Sequence, residues 1–131
     1  MGELFQKKVI KPENGPKAIG PYSVAVAAGQ FLYTAGQIGI ESGSGNLVEG
    51  GIEAETRQAL NNLQQVLLGS GSSLQNVLKT TVFLKDINDF HKMNVIYGEF
   101  FPENPPARSA VQVAALPKGA LIEIEAVALI S

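Results

Sequence analysis

The chain has 131 residues, 45% of them hydrophobic, with ten basic and twelve acidic side chains, a net charge of −2 and a pI of about 5.4. That composition fits one compact domain over residues 1–131 with a real core, and it gives no general attraction to phosphate backbones, so nucleic acid is not an expected partner. With no cysteine and one histidine, the chain is excluded from disulfide, thiolate, iron-sulfur, Cys-zinc and multi-histidine metal chemistry.

The start, MGELFQKKVI, lacks the apolar core of a secretion signal, and Gln6 stands where a myristoylation signal has Ser or Thr. No apolar stretch approaches the ~20 residues that span a bilayer. A soluble cytoplasmic protein with no membrane partner is expected.

Residues 7–10 read as a short first strand, followed by a turn-rich connection through Pro12, Asn14, Gly15 and Pro16. Tyr22, held just after a proline, is either a packing residue or a site residue. Residues 23–28 and 31–40 are apolar runs separated by Gly29-Gln30, a two-residue hairpin signal. Within the second run Gly36 marks a bulge or a place where something approaches the backbone closely.

Residues 41–51, ESGSGNLVEGG, have neither dinucleotide-binding nor P-loop spacing and read as an ordinary loop. Ile52, Thr56, Ala59, Leu60, Leu63, Val66 and Leu67 then recur at steps of three and four, predicting an amphipathic helix that ends at Gly69 or Gly71. Glu53 and Glu55 suit the positive end of its dipole. Residues 77–85 alternate and are rich in β-branched side chains, which predicts a strand.

Asp86, Asn88 and Asp89 offer caps for a second helix reaching Phe101, with Phe90, Met93, Tyr97, Phe100 and Phe101 as its apolar stripe. Asn94 lies on that stripe, so its carboxamide bonds to backbone or reaches a polar cavity. His91 points away from it, toward solvent.

Residues 104–128 carry the chemistry. Pro105 and Pro106 hold the chain extended ahead of a strand over residues 107–115, whose alternation puts Arg108, Ala110, Gln112 and Ala114 on one face. In the last strand, residues 121–130, Glu123 and Glu125 share a face with Val127 and Leu129. A guanidinium cannot shed its proton, so Arg108 needs an anion, either a structural partner at Glu123 or Glu125 or a ligand. Helical crossovers between strands put both helices on one face of the sheet. The opposite face, expected to carry Glu123, Val127, Leu129, Arg108 and Ala110, is too apolar for water and too charged for an ordinary core, so other subunits should cover it.

IGPYS at 19–23, AGQI at 35–38, KTTVFLKDINDF at 79–90, PARSAVQVAALPKGA at 106–120 and IEIEAVA at 122–128 closely resemble the RidA (YjgF) family of reactive imine and enamine deaminases. The resemblance implies an α+β, chorismate mutase-like fold: a mixed six-stranded sheet with two helices packed on one face, the final strand inserted between two earlier ones, and a homotrimer with clefts between subunits. It implies hydrolysis of 2-iminobutanoate and 2-iminopropanoate to 2-oxo acids and ammonia, with no cofactor and no metal. The family's carboxylate-binding arginine falls on Arg108 and its water-orienting glutamate on Glu123, while Tyr22, Gly36, Asn94 and Ala110 match its substrate-binding positions. Ala35 stands where many members have Ser, and Ala110 where many have Cys. A non-catalytic binder of small carboxylates and an RNA-directed translation inhibitor are the rival readings.

Overall fold

The structure, a computed structural model, describes residues 6–131; the start of the segment read above for targeting signals lies outside the described residues. The chain forms β1 (Lys8–Ile10), β2 (Ala25–Ala28), β3 (Phe31–Thr34), α1 (Gly51–Gly69), β4 (Val77–Leu84), α2 (Phe90–Phe100), β5 (Ala107–Gln112) and β6 (Ile122–Leu129). All six strands join one sheet in the order β1-β2-β3-β6-β4-β5. The last strand is thus an inner one, antiparallel to both β3 and β4, while β4 and β5 run parallel across the α2 crossover.

Burial explains that order. Ile122, Ile124, Ala126 and Ala128 alternate along β6 and are all at most 4% exposed, as an inner strand under helices requires. No residue of β5 is fully buried, which suits an edge strand. Helix α1 turns Ile52, Thr56, Ala59, Leu60, Leu63, Val66 and Leu67 inward, all buried. Each large apolar side chain so covered contributes roughly 1.5–3 kcal/mol over leaving it exposed. Helix α2 adds Met93, Ile96 and Tyr97, and its lead-in turn is capped by Asp86, whose Oδ1 accepts from the Asn88 N–H at 2.9 Å.

Several expectations shift. The second strand of the hairpin stops at Thr34 instead of residue 40, because the chain leaves β3 at Ala35, whose N–H donates to the Val24 carbonyl at 2.8 Å. The strand from residue 107 ends at Gln112 instead of 115. Glu53 does sit in the first turn of α1, but Glu55 faces inward, is 6% exposed, and accepts from the Leu121 N–H at 2.9 Å. It is a structural carboxylate at the start of β6.

The largest correction concerns faces. Partners across a ladder project to the same side of the sheet. Arg108 faces Thr80 and Ala110 faces Val82, and both β4 partners are fully buried beneath the helices. Arg108 and Ala110 therefore lie on the helix-bearing side, at the sheet edge, and not on the open face. Glu123 faces Phe83, which alternates with buried Val82 and Leu84, so Glu123 does lie on the helix-free side, with Glu125, Val127 and Leu129. Exposed Phe31, Tyr33 and Val111 extend that face across the sheet.

Candidate active site

Glu123 is positioned by an exchange of backbone hydrogen bonds outside the regular strands. The Gln37 N–H donates to the Ile124 carbonyl at 2.8 Å and the Ile124 N–H donates to the Gln37 carbonyl at 2.9 Å. This draws residues 35–38 across β6 and leaves Gly36 under the Glu123 side chain. A Cβ at Gly36 would meet the Glu123 carboxylate, with 2.7 Å to Cδ and 2.8 Å to Cγ. Glycine is needed here for space, since Gly36 is not among the residues with positive φ. The close approach anticipated at Gly36 is thus made by the protein's own carboxylate.

Above that carboxylate opens a cleft of about 410 Å³ bordered by Tyr22, Gly36 and Glu123, with Ile19, Val24 and Ile38 among its apolar walls. Tyr22 is 51% exposed, so it serves as cleft wall and not as core packing. Burial pushes the Glu123 carboxyl above the ordinary carboxylate range, and the Glu125 charge on the same face pushes it further. A glutamate whose pKa is raised by burial, beside a cavity, suits proton transfer. Lys118, with a left-handed backbone at φ 59°, also borders this cleft, and sequence periodicity gave no signal for it.

Arg108 has a different setting. Its Cζ lies 4.7 Å from the Tyr97 ring centroid and 5.2 Å from that of Phe90, and Nη1 is 4.0 Å from the Met93 Sδ. These side chains recur every three or four residues on α2 and were legible only as an apolar stripe. They form the bed of a cation. Neither Glu123 nor Glu125 pairs with Arg108; the ion pair between described residues is the surface contact of Arg57 with Glu99 at 2.9 Å. Tyr97 is itself fixed, its hydroxyl 2.7 Å from the Thr80 Oγ1. Burial raises the Tyr97 pKa against the opposing effects of that bond and the Arg108 charge, so the phenol stays neutral. Half-buried Asn94 shares the helix face of Phe90 and Tyr97.

The six expected site residues thus divide into two groups. Arg108, Asn94 and Ala110 are on the α2 side of the sheet edge; Glu123, Gly36 and Tyr22 are on or beside the cleft. Two strand spacings and three residues of rise separate Arg108 from Glu123, about 14 Å between Cα atoms, and their side chains leave opposite faces. One small substrate cannot touch both within one chain. His91 is exposed. Among the described residues, no group of three or more His, Asp or Glu side chains is gathered to hold a metal, and no helix is long and apolar enough to cross a membrane.

Comparison with known proteins agrees with this architecture. Residues 12–130 match the family model described as Endoribonuclease L-PSP. The chain is 56% identical to a RutC family protein of Pyrococcus horikoshii over 93% of its length and 97% of the relative's. It is 53% identical to the human 2-iminobutanoate/2-iminopropanoate deaminase over 94% of its length and 90% of the relative's. The solved structure of a Rid family protein, YyfA of Yersinia pestis, superposes with a TM-score of 0.90 at 47% identity, covering 95% of this chain and all of that one. Sequence and backbone match along almost the whole length, and the chain belongs to the RidA (YjgF) family.

Proposed function

We propose that this protein hydrolyses reactive 2-imino and enamino acids, 2-iminobutanoate and 2-iminopropanoate among them, to 2-oxo acids and ammonia. The observation that carries the reading is a half-buried guanidinium, Arg108, laid on aromatic rings with no described carboxylate paired to it. A relative at 53% identity bearing that activity's name supports it. The geometry further favours a site shared between copies, in which Arg108, Asn94 and Ala110 of one chain meet Tyr22, Gly36 and Glu123 of the next. In the homotrimer that the family resemblance implies, three helix-free sheet faces form the closed centre, which would cover Phe31 and Tyr33.

Arg108 grips the substrate carboxylate as a bidentate fork, fixing its plane as well as its charge. Glu123 holds a water over the imine carbon. As the water oxygen bonds to that carbon, Glu123 takes one of the water's protons and passes it to the imine nitrogen, giving a carbinolamine; Glu123 then relays the new hydroxyl's proton to the amino nitrogen as the C–N bond breaks, so that ammonia leaves and the C=O of the 2-oxo acid forms. Imine hydrolysis is already fast in water, so positioning and one proton relay worth about 10²- to 10⁴-fold suffice.

Coupling the protein to threonine dehydratase and timing 2-oxobutanoate release tests the activity, with molar mass in solution measured alongside. Unaccelerated release would leave a carboxylate-binding protein instead. RNA cleavage, suggested by the family model's description, is the second reading; the net charge of −2 gives it no general electrostatic support.

A further inference from the structure

We infer that Tyr97 and Thr80 are positioning residues for Arg108: Thr80 holds the Tyr97 hydroxyl and so fixes the ring on which the guanidinium lies. The inference rests on the proposed role of Arg108 as the carboxylate anchor. Its geometric basis is a closed triangle. Thr80 stands opposite Arg108 in the parallel β4 and β5 ladder, its Oγ1 is 2.7 Å from the Tyr97 hydroxyl, and the Tyr97 ring returns to the Arg108 guanidinium at 4.7 Å.

Each corner is constrained. Thr80 is fully buried and Tyr97 is 5% exposed, so neither can turn away without leaving a buried hydroxyl unpaired. Tyr97 also packs on Phe101, with ring centroids 4.8 Å apart. An arginine on an edge strand would otherwise sample many rotamers, and a free fork must be ordered each time an anion binds. Here the plane of the fork is set in advance by a ring on α2, on the same helix face as Asn94. An aromatic face also attracts the cation without neutralising it, which leaves its N–H donors for a carboxylate. A carboxylate partner would have occupied them.

The test compares Tyr97→Leu, which removes the ring and hydroxyl, with Tyr97→Phe, which restores the ring. Readouts are the 2-oxobutanoate Kd by calorimetry, the deaminase KM and kcat, the melting temperature, and the NMR shift of the Arg108 Nε–H, which senses the ring current. The Leu variant is expected to raise Kd and KM by about 2- to 30-fold, the range of a cation-π contact, with kcat changed far less. It should also move the Nε–H resonance, and Tyr97→Phe, which keeps the ring but loses the hydroxyl that Thr80 holds, should recover only part of both effects. A Leu variant that binds 2-oxobutanoate like the wild type overturns the inference. If Tyr97→Leu does not fold, Thr80→Val decides: it keeps the ring but frees the hydroxyl, and an unchanged Kd and Nε–H shift would be equally fatal. Arg108→Ala separates the two levels. Should it retain binding, the carboxylate role fails and this inference with it; should it lose binding while Tyr97→Leu does not, only the positioning role fails.

Discussion

Mixing two inactive variants should restore activity if the site is built from two chains. Arg108→Ala removes the anchor and Glu123→Gln the proton acceptor, and each oligomer made of one variant lacks one group at every site. Arg108 and Glu123 leave opposite faces of the sheet about 14 Å apart, so no single chain can combine them. In a closed ring where each site takes Arg108 from one chain and Glu123 from its neighbour, an equal mixture supplies an intact arginine to half the sites and an intact glutamate to half. After unfolding and refolding the variants together, about one quarter of wild-type activity should return. The assay is dehydratase-coupled 2-oxobutanoate release, with native mass spectrometry to show mixed oligomers. A mixture shown to contain such oligomers that is no more active than its components would refute the shared site. Wild type refolded with an equal amount of the double variant provides the converse: its activity should fall from about half to about one quarter.

Two further outcomes follow from the Glu123 environment. Because burial raises the carboxyl's pKa in the folded protein, the native state binds more protons than the unfolded chain between the ordinary and raised values, and stability falls as pH climbs through that window. Glu123→Gln should therefore melt above wild type at pH 8 and level with it at pH 4, while turnover drops about 10²- to 10⁴-fold and 2-oxobutanoate binding persists; a wild type that is the more stable at pH 8 contradicts this. Gly36→Ala places a methyl where the Glu123 carboxylate lies. It should cost about 100-fold in kcat/KM through displacement of the carboxylate, with little change in melting temperature. Undiminished turnover in that variant would show that the carboxylate's position does not matter.

Helix α1, strand β4 and the hairpin turn at Gly29-Gln30 were legible because local periodicity and turn chemistry dictate them. The position of β6 was not: alternation at 122, 124, 126 and 128 says which residues face the core, but not which strands flank them. That placement came from family resemblance. The side taken by Arg108 was misread for a related reason. An edge strand has one neighbour and buries none of its residues fully, so sequence alternation in β5 does not say which face meets the core, and its true side is set by the pairing of Arg108 with buried Thr80. The run at 35–40 looked like strand because it is apolar, yet tertiary bonds to Ile124 give it another path. Glu55 seemed a dipole partner by sequence position and proved to be a buried acceptor, a distinction that depends on a residue sixty-six positions away.

The inner place of β6 also dictates how the polypeptide must acquire its shape. Until residues 122–129 pair, the edges of β3 and β4 that β6 fills have no backbone partner. Closing the sheet joins Phe31 to Leu129 and so waits on contacts of very large sequence separation, which slow folding. During that interval the two bare edges invite the same strand from another nascent chain. Synthesis at high concentration should therefore favour exchange of β6 between chains, and slowing production or lowering temperature should raise the yield of correctly closed protein.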